Sequence, residues 1–106
     1  MVSGLSHRER VRIALNHQEP DRVPTDLGST GCSTLTVEAY RRLRAHLGMA
    51  PKEPFIISRA AQIVVPHEEV MQLLDVDLRG IYYRPPRLDK TKELGDGRII
   101  NEWGVT

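Results

Sequence analysis

The sequence predicts an α/β chain in which helices and strands alternate. Apolar residues recur at helical spacing in three separate stretches, and short β-rich runs bounded by Pro or Gly lie between them. Alternation of this kind over roughly the first 84 residues points to βα units and a parallel sheet. The sheet would be small, and a parallel sheet needs both faces covered.

The first helix opens at Ser6. Ser6-His7-Arg8-Glu9 reads as a capping box, in which hydroxyl and carboxylate answer unpaired amides reciprocally. Val11, Ala14 and Leu15 then share one face, and Pro20 stops the helix near His17-Gln18. Asp21-Arg22 makes a turn. Residues 23–27 read as a short strand, with Pro24 tolerated at its start, and Gly28 ends it. The small residues at 28–33 form a loop.

The second helix is the most strongly marked. Thr36 is its N-cap, Leu35 and Tyr40 are spaced as a hydrophobic staple, and Gly48 is the terminating glycine. Tyr40, Leu43 and Leu47 make its apolar stripe, so Arg41, Arg42 and Arg44 are expected to face outward. Residues 51–54 are a linker. Residues 55–65 are ambiguous: Phe55-Ile56-Ile57 and Ile63-Val64-Val65 look like strand, Arg59-Ala60-Ala61-Gln62 like helix. Residues 67–74 form a short helix with Glu68 and Glu69 in its first turn, where the dipole favours acids, and with Val70, Leu73 and Leu74 buried. Residues 78–83 read as a strand closed by Pro85-Pro86. Gly95-Asp96-Gly97 then turns a hairpin between 92–94 and 98–101.

At 106 residues the chain is one small domain at most, and one Phe and one Trp are a thin aromatic supply for a dense core. No apolar run nears the ~18 residues that span a bilayer, and Met1-Val2-Ser3-Gly4 leads into charge rather than a signal-peptide core. The expectation is a cytoplasmic protein without a membrane segment. A net charge of +1 gives no pull toward nucleic acid. A single cysteine excludes an internal disulfide and a Cys-only zinc site.

The strand–loop–helix at 23–47 is the place most like a ligand site. Asp26, Gly28, Ser29 and Cys32 are its candidate substrate-binding residues, because loop amides at a strand end can approach an anion closely. The plain alternative is that Gly28 and Gly31 permit a tight turn while Asp26 bonds the loop backbone. The spacing matches neither a Walker A loop nor a GxGxxG fingerprint. Cys32 has no His nearby in sequence, and a small buried side chain is the commoner outcome for such a residue. No HxxxH or HxH occurs among His7, His17, His46 and His67, so a metal site is not expected within the chain. His17 and His46 sit near helix C-termini, and His67 at a helix start is expected to be exposed. Asp75-Val76-Asp77 is compatible with a divalent ion, though such a pair more often ends a helix and starts a strand. The arginines at 8, 10, 12 and 41, 42, 44 read as solvated helix faces.

Ser6-His7-Arg8-Glu9-Arg10-Val11 followed by Ala14-Leu15-Asn16-His17-Gln18-Glu19-Pro20-Asp21-Arg22-Val23-Pro24 resembles the opening of the uroporphyrinogen decarboxylase superfamily. Val37-Glu38-Ala39-Tyr40, the stretches 43–48 and 66–77, and Glu102-Trp103-Gly104-Val105 extend the resemblance over nearly the whole chain. It implies a (β/α)8 barrel with an N-terminal helical extension. Such a barrel takes ~250 residues, so the chain is expected to hold the extension (1–22) and the first βα units with a hairpin (23–106). An incomplete barrel of this kind would be inactive alone.

The superfamily implies two activities. One is cofactor-free decarboxylation of uroporphyrinogen III in porphyrin biosynthesis. The other is methyl transfer among corrinoid proteins, thiols and methylated substrates, using zinc. The decarboxylases carry arginines just after the first strand, where this chain has none between Asp26 and Ser33. Their aspartate also lacks a counterpart, since Tyr82-Tyr83-Arg84 stands at that place. A polycarboxylate substrate needs guanidinium partners, so the resemblance favours a methyltransferase relative. Its partners would be a small-molecule substrate or a corrinoid protein, with zinc ligands lying beyond this chain. Decarboxylation is the first alternative. A non-catalytic interaction module using apolar strand edges is the second.

Overall fold

The computed structural model describes residues 4–82, 91–101 and 103–106. The elements are α1 (His7–Leu15), α2 (Val37–His46), β1 (Phe55–Ser58), β2 (Ile63–Val65), α3 (Glu68–Leu73), β3 (Lys92–Glu93) and β4 (Ile99–Ile100). Both sheets are two-stranded and antiparallel, β1 with β2 and β3 with β4. The described residues contain no parallel strand pair. None of their helices is long and apolar enough to cross a membrane.

Each helix start follows local chemistry. Ser6 Oγ accepts the Glu9 N–H at 3.2 Å, and Glu9 Oε2 accepts the Ser6 N–H at 2.8 Å, completing the capping box. Thr36 Oγ1 accepts the Ala39 N–H to cap α2. All three helices end alike. The amides of Gln18, Met49 and Val76 reach back to the carbonyls of Ile13, Arg44 and Met71, which is the Schellman arrangement. Only α2 has glycine at the left-handed position, Gly48; His17 (φ 56°) and Asp75 (φ 51°) hold it at the ends of α1 and α3.

The core is small. Val37, Tyr40, Val64 and Val70 form it, with Leu35, Leu43, Leu47, Met49 and Ile56 packed against them. It therefore joins α2, the β1–β2 hairpin and α3. The accessible surface is 8429 Å², against about 6,000 Å² for a compact monomer of this mass. The Cα radius of gyration of 17.5 Å likewise exceeds the ~13 Å of a compact chain of this length.

Several expectations change. Residues 23–27 form no strand: Val23 is 80% exposed, and Thr25 spends its backbone groups on Asp77 instead of a strand neighbour. Residues 78–82 also form no strand; Tyr83, Arg84 and Pro85-Pro86 lie outside the described residues. The ambiguous 55–65 stretch resolves as a hairpin, and 59–62 is its turn rather than a helix. Leu15, Leu73 and Leu74 are exposed, while Arg10, Arg44 and Met71 are buried in their place. The hairpin on Gly95-Asp96-Gly97 forms as expected, with shorter strands.

Candidate functional site

The loop following residue 25 holds the four candidate binding residues. Asp26 Oδ1 accepts the Ser29 N–H at 3.1 Å, and Asp26 Oδ2 accepts the Ser29 hydroxyl at 2.5 Å. The Gly28 N–H donates to Ser33 O at 2.7 Å, and the Tyr82 hydroxyl donates to Gly28 O. The Thr30 N–H donates to Ser33 Oγ, the Cys32 N–H to Thr30 Oγ1, and the Ser33 N–H to Thr30 O. The amides that would cradle an anion are thus engaged within the loop at Gly28, Ser29, Thr30, Cys32 and Ser33. Burial pushes the Asp26 carboxyl up, but hydrogen bonds from Ser29 and Ser33 outweigh it, and its pKa falls below the ordinary value. Cys32 is exposed, not buried, because it sits at the tip of the turn.

Gly28 is buried and left-handed, at φ 89°. A Cβ there would meet Pro66 Cδ at 2.6 Å. Gly28→Ala is therefore expected to cost about 2 kcal/mol, from left-handed strain plus the clash, seen as a lower thermal midpoint. A midpoint within 2 °C of the parent would refute the packing described.

Beside the loop stands an ion network that the sequence pattern did not reveal. The Asp77 side chain is fully buried. Its Oδ1 accepts Arg10 Nη1 at 2.6 Å, and its Oδ2 accepts Arg22 Nη1 at 2.7 Å and the Thr25 N–H at 2.9 Å. Arg10 also grips Asp21 through Nε at 2.7 Å and Nη2 at 2.9 Å. Arg22 Nη2 reaches Asp75 Oδ2 at 2.8 Å, and His7 Nε2 lies 2.7 Å from Asp75 Oδ1. Burial raises the Asp77 carboxyl, yet the Thr25 amide and the two guanidiniums hold it down at about 2. The Asp75–Asp77 pair is thus met by cations of the chain itself.

A second polar cluster lies in the core. The buried Tyr40 hydroxyl accepts the His67 N–H at 2.9 Å and lies 2.6 Å from His67 Nδ1. Arg44 Nη1 approaches the same Nδ1 at 3.4 Å and pairs with Glu69 at 2.7 Å. Arginine carries donors only, so Nδ1 is an acceptor and the ring proton sits on Nε2. Burial, with Lys52 and Arg44, lowers the His67 pKa. Arg44 is therefore buried and His67 half-buried, rather than on the solvated surface expected for them. Arg44 lies one helical turn after Tyr40, and that spacing was the available sign of it.

A groove of about 650 Å³ runs between the two hairpins, lined by residues that include Ile56, Arg59, Glu93, Leu94, Arg98 and Ile99. The four candidate residues are not among those lining it. Among the described residues no group of three or more His, Cys, Asp or Glu side chains is placed to hold a metal ion. Comparison of the chain with family models, curated proteins and solved structures found no match.

Proposed function

We propose that the chain is the N-terminal part of a uroporphyrinogen-decarboxylase-like barrel enzyme, on the methyl-transfer side of that superfamily, and that it serves as scaffold and pocket wall rather than catalytic centre. The observation that carries the reading is the joining of three stretches of the resemblance by one ion network. Arg10 comes from the first stretch, Asp21 and Arg22 from the second, and Asp77 from the third. Residues that would otherwise be scattered matches act together as one clamp. The excess surface supports the same reading, since a chain this open is suited to packing against further structure. Zinc and a corrinoid protein belong to the proposed parent enzyme, and so does a cytoplasmic location.

The chemistry left to these residues is binding and orientation. The 26–33 loop carries no arginine to grip a polycarboxylate, which sets uroporphyrinogen decarboxylation second. The interaction-module alternative is less favoured at β1. A register irregularity between Ile56 and Ser58 and the neighbouring Pro54 interrupt the strand edge such a module would use.

The test is to read the gene past codon 106 and assay the full product. The expected result is a continuing frame whose product transfers a methyl group from methylcobalamin to a thiol and leaves uroporphyrinogen III unchanged. A stop codon at that point, together with a monomeric 106-residue protein that melts cooperatively, would overturn the reading in favour of a free-standing module.

A further inference from the structure

We infer that α1 is a docked arm whose attachment sets the order of the 26–33 loop. No side chain of α1 belongs to the core cluster. The one buried α1 residue is Arg10, whose guanidinium is spent on Asp21 and Asp77. Asp77 in turn holds the residue immediately before the loop. Its carboxylate accepts the Thr25 N–H at 2.9 Å, and its own N–H donates to Thr25 O at 3.0 Å. Arg22 seals the arrangement from the same segment.

The far end of the loop is fixed separately. The Thr34 hydroxyl donates to Val64 O in the core hairpin. The loop thus has a core-anchored exit, a contact of Gly28 with Pro66 partway along, and an entry held at Thr25 through Asp77. When α1 lifts away, Asp77 loses Arg10 and the entry anchor weakens, while the core cluster is untouched. Order in the candidate pocket wall then depends on a helix linked to it through Arg10 and Asp77. The inference rests on the reading of that loop as pocket wall for its functional meaning only; the coupling itself involves no ligand.

Amide hydrogen exchange on the 106-residue chain tests it. Ser6→Ala removes the α1 cap and leaves Asp77 and the loop chemically intact. Exchange at 11–15 is expected to quicken about fivefold, in line with the loss of a helix cap, and exchange at 26–33 to quicken with it. Asp77→Asn should enlarge both effects, and in Ser6→Ala 37–46 and 63–65 should keep their protection. If 11–15 opens while 26–33 keeps its rate, the arm and loop are independent and the inference is wrong. Equal acceleration at 63–65 in Ser6→Ala would also overturn it, as general destabilisation. Because no substrate enters, these outcomes can fail while the enzymatic reading stands, and the reverse.

Discussion

Asp77→Asn is expected to lower stability by about 2 kcal/mol, a drop of roughly 10 °C in thermal midpoint for a chain of this size. The side chain is fully buried and holds two arginines and one backbone amide. Removing one partner of a buried pair leaves the other charge uncompensated, which usually costs ~3–5 kcal/mol. The smaller figure applies because Arg10 keeps Asp21 and Arg22 keeps Asp75. The same carboxylate governs acid sensitivity. Its pKa is lowered in the folded chain to about 2, below the ordinary aspartate range near 4. Its stabilisation is therefore complete above the unfolded value and is lost as pH falls from about 4 toward 2. In the variant that part of the acid transition should vanish. Thermal melts at pH 7 and pH 3 decide the matter: an unaltered midpoint at pH 7, or an unaltered acid dependence, would show that Asp77 is not the keystone.

Tyr40→Ala is expected to be more damaging, at about 4 kcal/mol. Large aromatic-to-alanine changes in a core cost ~3–5 kcal/mol through lost transfer energy and a residual cavity. Tyr40 is fully buried in a cluster of four buried residues, so its neighbours have little material with which to collapse. Its hydroxyl also answers the His67 amide and Arg44. Tyr40→Phe isolates that polar share and should cost about 1 kcal/mol. Urea titration measures both, with the midpoint as readout. An alanine variant within 1 kcal/mol of the parent would mean that the cluster around α2 is not the stabilising centre.

The parts of this fold legible in the sequence are those whose partners are close along the chain. The Ser6–Glu9 box, the Thr36 cap, Gly48 and the 95–97 turn each need residues no more than a few positions apart. Asp26 and Ser29 are also local, and the loop-backbone account of Asp26 holds for that reason. Arg10 and Asp77 are separated by 67 positions, so no periodicity signals their pairing. The 23–27 run has strand composition, yet composition cannot show whether a neighbouring strand exists to receive its amides. Leu15, Leu73 and Leu74 match a helical stripe, but an apolar face is buried only where something covers it.

The 8429 Å² that this chain leaves to solvent also has a calorimetric meaning. The heat-capacity rise on unfolding comes from newly hydrated apolar groups. Phe55, Ile81, Trp103 and Val23 are largely hydrated before unfolding begins, so they add little to it. The curve of free energy against temperature is then shallow, without the pronounced maximum of a tightly folded domain. Warming and cooling across the physiological range change the population of the folded form gradually, and a binding surface that covers those side chains would steepen that curve as it adds stability.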